Sequence, residues 1–159
     1  MQRYYYSEDI DHFLVRKSSE ILGIIARENE FSLEQTQRMA WEEEIRILKA
    51  VLPGLEGEIF FEFSIPRMGK RIDVVLLIHS VLFILEFKVG SQKFDAGAID
   101  QVWDYALDLK NFHETSHEAV IAPILIATDA EEFRSPAQTQ ISADGVLVPI
   151  TCTANSLRS

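Results

Sequence analysis

The sequence RIDVVLLIHSVLFILEFKVG, residues 71–90, decides the fold of this chain. Two apolar runs flank His79-Ser80, and the charges inside those runs are Asp73, Glu86 and Lys88. Runs rich in valine, isoleucine, leucine and phenylalanine are typical of strands that are buried on both faces of a sheet. The stretch therefore predicts two neighbouring buried strands that reverse at His79-Ser80.

A symmetric reversal at His79-Ser80 would place Asp73 directly opposite Glu86. Because side chains alternate along a strand, both acids then share one face with Lys88, and the other face, from Ile72 to Phe87, is entirely apolar. Directly opposed carboxylates destabilise a sheet unless something neutralises them. His-Ser is not the Asn-Gly or Asp-Gly sequence of a tight hairpin, so a different loop length would break this pairing.

The three charges fit a metal site better than a solvated rim or a plain ion pair. Glu86 and Lys88 follow an apolar run instead of standing in a polar one. Buried charges are rare unless they are paired or bind a metal. A bound cation would neutralise Asp73 and Glu86, with Lys88 adding positive charge on the same face.

Composition indicates a soluble globular protein with a single domain over residues 1–159. The chain has 47% hydrophobic and 25% charged residues, and its length is sufficient to bury one sizeable core. No apolar run is long enough to span a membrane, and the N-terminus MQRYYYSEDI does not resemble a signal peptide. A single cysteine, Cys152, fits a reducing compartment, so we expect a cytoplasmic protein.

The net charge of −10 argues against a protein that coats nucleic acid non-specifically. Residues 64–93, however, carry a net charge of +3, so positive charge gathers around the candidate site. The turn that ends in Lys70-Arg71 could contact phosphates, although charged turns are more often simply solvated.

The remaining elements follow from periodicity and end signals. Ser7 predicts the start of a helix over 8–27, and Ser32 with Gln35 predicts a second helix that ends at Pro53-Gly54. Glu44 falls inside the apolar stripe of that second helix, either as a buried partner of the strand-borne acids or as a rim residue in water. Further predictions are strands at 59–65, 120–127 and 145–150 and a helix over 97–113, while the two histidines of FHETSHEA, residues 112–119, indicate a polar helix end or loop.

This order of elements predicts an α/β fold, with a mixed β-sheet flanked by helices on both faces. Asp73, followed across a hairpin by Glu86-Phe87-Lys88 and preceded by an acidic helix, resembles the PD-(D/E)xK nuclease superfamily. The resemblance implies a restriction-endonuclease-like α-β-β-β-α-β core with N-terminal helices, here at about residues 33–150. Glu44 matches the helical glutamate of many members, and Gln101 with Tyr105 matches a Q-x-x-x-Y helix motif.

A narrower resemblance extends over YYYSEDIDHFL, AWEEEI, GKRIDVVL, EFKVG and DYALDLKNFH. These segments are similar to the N-terminal nuclease-like domain of Schlafen-type DNA/RNA helicases. The resemblance implies that the chain is the N-terminal part of a longer protein, with a helicase domain as a partner.

The superfamily resemblance implies a metal-dependent nuclease that hydrolyses phosphodiester bonds, with DNA favoured over RNA. Mg²⁺ or Mn²⁺ would be held by oxygen ligands, and Lys88 would position or deprotonate the attacking water. Gln101 and Tyr105 would orient the lysine or the phosphate, and Lys70 with Arg71 would contact the nucleic-acid backbone. The implied metal ligands are Asp73, Glu86, the backbone carbonyl of Phe87 and Glu44, the last through water or at a second ion.

Two other classes of function stay open at this point. The chain could be a non-catalytic nuclease-like module that binds nucleic acid or a partner protein, with the contacts supplied by the basic turn. It could also be a structural α/β domain that forms a homodimer and has no affinity for divalent ions.

Overall fold

The computed structural model describes residues 3–28, 35–65, 69–90, 96–112, 120–128 and 150–152. In these ranges a sheet of six strands runs in chain order from β1 to β6. The strands are β1 (Tyr6–Asp9), β2 (Glu58–Ile65), β3 (Lys70–Ile78), β4 (Val81–Lys88), β5 (Val120–Ala127) and β6 (Ile150–Cys152). The helices are α1 (Ile10–Val15), α2 (Ser18–Glu28), α3 (Gln35–Val51) and α4 (Ala96–Phe112).

The sheet is mixed, as predicted. Strands β1 to β4 pair antiparallel, whereas β4, β5 and β6 pair parallel. A parallel neighbour requires a crossover connection, and α4 supplies it between β4 and β5. Buried side chains of α1, α2 and α3 pack on one face of the sheet and those of α4 on the other. The α/β class and the helices on both faces are therefore confirmed.

The β3–β4 hairpin has the register that symmetric reversal predicts. The pairs run from Val74 opposite Leu85 to Ile78 opposite Val81. His79 and Ser80 both have positive φ, at 48° and 66°. Positive φ at both central residues is the geometry of the tight turn whose twist matches that of paired strands. The hairpin thus closes in two residues without the glycine that usually marks such a turn.

The N-terminal helix prediction is wrong at its start and in its continuity. Residues Tyr6–Asp9 form a strand that pairs with β2, so Ser7 lies in the sheet and does not cap a helix. The helix cap is Asp9, whose carboxylate accepts the His12 N–H at 2.8 Å. The helix is then interrupted at Arg16, whose extended backbone ends α1 before α2 begins. Pairing with β2 satisfies main-chain groups that a sheet edge would otherwise leave exposed, and this outweighs local helix propensity.

The other predicted elements lie close to their predicted ranges. Helix α3 ends before Pro53-Gly54, and α4 begins and ends one residue earlier than predicted. Three predictions fall outside the described residues. They are the helix cap at Ser32, the polar segment 113–119 with its two histidines, and most of the last strand, at residues 145–149. In the described part of the chain, no helix is both long and apolar enough to cross a membrane.

The buried side chains form two clusters, one on each face, and the strands exchange faces at Glu62 and Asp73. Phe61 packs with α3 on one face, whereas Phe63 packs on the α4 face, although both belong to the same strand at even spacing. Ile72 likewise packs on the α4 face, and Val74 packs on the other. The prediction that Ile72 and Val74 share a face is therefore wrong. In β2 the exchange coincides with a backbone distortion at Glu62, which has a φ of 55° in mid-strand.

Candidate active site

The candidate site lies where β3 and β4 stop pairing through their main chains. The Asp73 N–H donates to Oε1 of Glu86 at 3.0 Å, and the Phe87 N–H donates to Oδ2 of Asp73 at 2.9 Å. Each carboxylate thus accepts a hydrogen bond from the opposite strand, immediately beyond the last ladder pair, Val74 with Leu85. The structure brings Asp73 and Glu86 together across the hairpin.

Both carboxylates lie in surroundings that disfavour negative charge. Glu86 is only 6% exposed. Burial raises its pKa, and the charge of Asp73 raises it further. Burial also raises the pKa of Asp73, which is half-buried, while the Phe87 N–H and then the Lys88 charge partly offset that rise. The pair therefore gains stability from any cation that binds beside it.

Glu44 reaches the same group of acids from α3. Its side chain is 2% exposed, so the rim alternative for this residue is excluded. Its Oε2 atom is buried and has no hydrogen-bond partner among the described residues. Burial raises the pKa of Glu44 well above its usual range, and the charges of Asp73, Glu62 and Glu86 add to the rise. A buried polar atom without a partner is costly, and it indicates either a ligand or a proton at this position.

Glu62 is a fourth acid of the site, and the sequence analysis missed it. Its Oε1 accepts a hydrogen bond from Trp41 Nε1 at 3.1 Å. Burial, followed by the charge of Asp73, raises its pKa to about 7. In the sequence Glu62 stands between two phenylalanines and looks like the outward-facing polar residue of an alternating strand. The one signal was Trp41, since a buried indole N–H usually finds an acceptor.

Lys88 lies at the end of β4, two residues beyond Glu86. Its charge lowers the pKa values of both Asp73 and Glu86, although burial outweighs this effect. The end of the strand is held in place by β5. The Thr128 N–H donates to the Lys88 carbonyl at 3.3 Å, and Thr128 Oγ1 accepts the Gly90 N–H at 2.7 Å. These bonds fix the backbone from which Lys88 projects.

Gln101 and Tyr105 form a pair on α4 at the margin of the acids. Gln101 Nε2 donates to the Tyr105 hydroxyl at 2.7 Å, and Lys70 Nζ lies 5.8 Å from the centre of the Tyr105 ring. Burial raises the pKa of Tyr105, and the charge of Glu86 adds to this rise, which places the ring near the carboxylates. Three of the predicted substrate-binding residues are thus together beside the acids.

Arg71 is placed differently. Its guanidinium lies 4.3 Å from the centre of the Tyr5 ring, and its Nη1 donates to the Glu62 carbonyl at 2.8 Å. These contacts brace the distorted part of β2. Its charge also lowers the pKa of Glu62, although burial outweighs that effect. In this structure Arg71 supports the backbone of the site and does not join the Gln101–Tyr105 pair.

The donor set suits a hard divalent cation. Mg²⁺ commonly takes one or two carboxylates and completes its shell with water and substrate oxygens. Asp73 and Glu86 supply such a pair, and the unpartnered Glu44 Oε2 adds a buried oxygen nearby. Among the described residues, no group of three or more histidine, cysteine, aspartate or glutamate side chains is arranged to hold one metal ion. The fit therefore rests on the carboxylate pair.

Comparisons with known proteins give few matches. No protein-family model matches the sequence, and no curated protein does. One similar solved structure is a repair endonuclease from Pyrococcus abyssi, with 25% identity over 65% of this chain and a TM-score of 0.40. Another is protein VC1899 from Vibrio cholerae, with 12% identity over 94% of this chain and a TM-score of 0.38. The chain spans 42% and 43% of the lengths of these two proteins.

Proposed function

We propose that the protein is a metal-dependent nuclease that hydrolyses phosphodiester bonds. The observation that carries the proposal is the carboxylate pair of buried Glu86 and half-buried Asp73. Each accepts a main-chain N–H from the opposite strand, and Lys88 lies on the same strand as Glu86. Such a pair destabilises the fold when no cation is bound, because it leaves negative charge where water solvates it poorly. Binding of a divalent cation and of a phosphate substrate would account for the presence of this pair.

The roles of the residues follow from their positions. Asp73 and Glu86 would bind Mg²⁺ or Mn²⁺, with the Phe87 carbonyl as a further ligand and Glu44 bound directly or through water. When bound, the ion supplies charge for the phosphate and lowers the pKa of a water ligand. Lys88 would hold the attacking water and take its proton. The Gln101–Tyr105 pair and Lys70, which contacts the Tyr105 ring, would orient the phosphate.

We infer that DNA is favoured over RNA and that the domain acts in the cytoplasm. The similarity of YYYSEDIDHFL and DYALDLKNFH to nuclease-like domains of Schlafen-type helicases supports a helicase domain as partner, in the same chain or another. We further propose that residues 1–159 form one domain.

The test is cleavage of linear and circular DNA by the purified protein, with Mg²⁺ or Mn²⁺ compared against EDTA. We expect metal-dependent cleavage that falls by about 10²–10⁴-fold in Lys88→Ala, since a positioned proton acceptor typically contributes that much. Asp73→Asn should lose at least as much. Asp104→Asn is the matched control, because Asp104 lies exposed on α4.

Two results would count against the nuclease, and a third would change only its substrate. Equal cleavage by wild type, Lys88→Ala and Asp73→Asn would mean that a contaminant does the chemistry. Cleavage of RNA in place of DNA would change the substrate and keep the site. Salt-dependent DNA binding with no cleavage in any metal would instead assign the chain to the non-catalytic nucleic-acid-binding modules.

A further inference from the structure

Asp73 is released from the main-chain ladders on both sides of its strand. Its neighbours Ile72 and Val74 both pair with β2. Asp73 and Glu62 face each other between those two pairs, and they do not pair. The ladder between β3 and β4 also ends at Val74, one residue short of Asp73. Both interruptions therefore meet at the residue whose carboxylate lies in the candidate site.

The release changes where the Asp73 carboxylate can lie. In a regular strand the side chains stand roughly perpendicular to the sheet, and the main-chain N–H groups point within the sheet to the next strand. Oδ2 of Asp73 nevertheless accepts the main-chain N–H of Phe87 on β4 at 2.9 Å. The carboxylate thus takes the place that a main-chain carbonyl has in a continuous ladder, which requires that β3 is not held in regular pairing at Asp73.

Glu62 faces this break from β2 in a conformation that a regular strand does not contain. Its φ of 55° is rare for a residue with a side chain, and such conformations persist only where the surroundings enforce them. Arg71 Nη1 donates to the Glu62 carbonyl at 2.8 Å, and Trp41 Nε1 donates to the Glu62 carboxylate at 3.1 Å. Trp41 is itself buried, and Arg71 lies over the ring of Tyr5. The distortion is therefore held from α3 and from β3.

We propose that Glu62 is a positioning residue for Asp73 and that it acts through its left-handed backbone, not through its charge. A regular Glu62 would pair with Asp73, hold β3 in the ladder and place two like charges directly opposite each other. The distorted backbone removes that pair and leaves the Asp73 carboxylate free to meet the Phe87 N–H. The significance for catalysis rests on the proposed function, in which Asp73 binds the metal ion.

The test is amide hydrogen exchange of the whole protein without metal, followed residue by residue by NMR. Glu62→Val should disfavour the left-handed backbone, because a β-branched residue is a steric outlier there. We expect the Phe87 amide to exchange about 10–100-fold faster than in wild type, the equivalent of one hydrogen bond to a charged group. The amides of residues 75–77, within the ladders of β3, should keep their protection.

Two matched variants separate the backbone from the charge. Glu62→Asn also removes the carboxylate, but asparagine adopts positive φ readily, so the Phe87 amide should exchange within about threefold of the wild-type rate. Glu58→Val makes the same replacement as Glu62→Val at an exposed, paired position of the same strand. It should leave the Phe87 amide unchanged.

Two results would overturn the positioning role of Glu62. One is equal protection of the Phe87 amide in wild type and in folded Glu62→Val. The other is an equal loss of protection in Glu62→Val and Glu62→Asn, since the charge would then be the cause.

Arg71→Met decides the question if Glu62→Val fails to fold. It removes the hydrogen bond to the Glu62 carbonyl and keeps an unbranched side chain. We expect the Phe87 amide to exchange about two- to tenfold faster, the equivalent of one hydrogen bond. An unchanged rate in Arg71→Met would overturn the proposal.

The exchange measurement needs neither metal nor substrate, so its outcome is separable from that of the nuclease proposal. Faster Phe87 exchange in Glu62→Val, in a protein that binds no metal and cleaves nothing, would keep the positioning of Asp73 and overturn the nuclease. Metal-dependent cleavage by wild type with unchanged Phe87 exchange in Glu62→Val would do the reverse. Where both proposals hold, Glu62→Val should bind Mn²⁺ about 10–100-fold more weakly than Glu62→Asn, the usual effect of disturbing an outer-shell partner of a metal ligand.

Discussion

The two ends of the β3–β4 hairpin are built from the same strands but satisfy their polar groups differently. At the turn end, main chain pairs with main chain through Ile78 and Val81, and an apolar groove of about 170 Å³ lies beside it. At the other end the ladder stops, and the carboxylates of Asp73 and Glu86 accept the main-chain N–H groups instead. The apolar contacts at the turn end stabilise the fold, whereas the gathered carboxylates at the acidic end lower its stability.

The apolar end of the hairpin allows its other end to hold mutually repelling acids without unfolding. The apolar pairs at the turn end fix the register, and a fixed register determines which side chains meet at the far end. The acidic end can therefore carry repulsion, because the alignment is decided elsewhere. Changes at the turn end should alter folding, and changes at the acidic end should alter chemistry and the dependence of stability on pH.

The largest effect on this comparison should come from Gly57→Ala. A Cβ at Gly57 would lie 2.1 Å from the Leu77 main-chain oxygen, so the strands would have to separate near the turn. We expect the free energy of unfolding to fall by about 2–5 kcal/mol, measured by denaturant titration. Gly23→Ala is the matched control, with nothing within 4 Å of the new methyl group in the interior of α2. It should gain about 0.5–1 kcal/mol.

A result for Gly57→Ala within 0.5 kcal/mol of wild type would mean that the turn end is not rigid. It would also remove the reason to treat that end as the part that sets the register.

An intermediate effect is expected from Glu44→Gln at the acidic end. Because the pKa of Glu44 is raised on folding, the folded state binds its proton more tightly, and stability is lost as pH rises above about 4.5, the ordinary glutamate value. Glu62, Asp73 and Glu86 act in the same direction, Glu62 between about 4.5 and 7. Removing one of the four charges should relieve this loss.

In EDTA, the wild-type protein should therefore be less stable at pH 8 than at pH 5. The advantage of Glu44→Gln over wild type should grow by about 1–3 kcal/mol across that range, the usual cost of one uncompensated buried group. Thermal unfolding at the two pH values measures it, with Glu42→Gln, an exposed acid on the same helix, as control. A constant difference between the two proteins at both pH values would show that Glu44 is solvated.

The smallest effect should come from replacing His79-Ser80 by Asn-Gly. Both residues have positive φ, and Asn-Gly adopts that conformation at lower cost. We expect a gain of about 1 kcal/mol in unfolding free energy. The single changes His79→Asn and Ser80→Gly, measured separately, show which residue carries the strain. A loss of stability in the double variant would mean that the native side chains make contacts that the turn needs.

The sequence predicted the hairpin register and the meeting of Asp73 with Glu86. Both follow from a local rule, because two apolar runs of similar length around a short turn leave few alignments that keep both faces buried. The position of α3 and the place of Glu44 on its apolar stripe were also predictable, since helical periodicity assigns faces, whereas only the structure decided that Glu44 is buried. In these regions the local pattern and the tertiary structure require the same arrangement.

Prediction from the sequence was incomplete where a residue type suits more than one structural role. Ser7 and Asp9 are both good helix caps, and the pairing of Tyr6–Asp9 with β2 selected the second. The structure also gives Arg71 contacts with Tyr5 and the Glu62 main chain that the sequence did not indicate, while its predicted phosphate contact stays a prediction. Propensity cannot rank such alternatives, because their energies differ through contacts with residues far away in the chain.

The amino-acid sequence by itself determined that β3 and β4 meet, and with them the central carboxylate pair, because alternation along a strand and symmetry about a turn act over neighbouring residues. Only the tertiary structure decided that the strands exchange faces at Glu62 and Asp73 and that Glu62 joins the site. That decision depends on Trp41 from α3 and Arg71 from β3 holding a strained backbone in place. Strain supported from two other elements leaves no periodic trace in the strand that bears it.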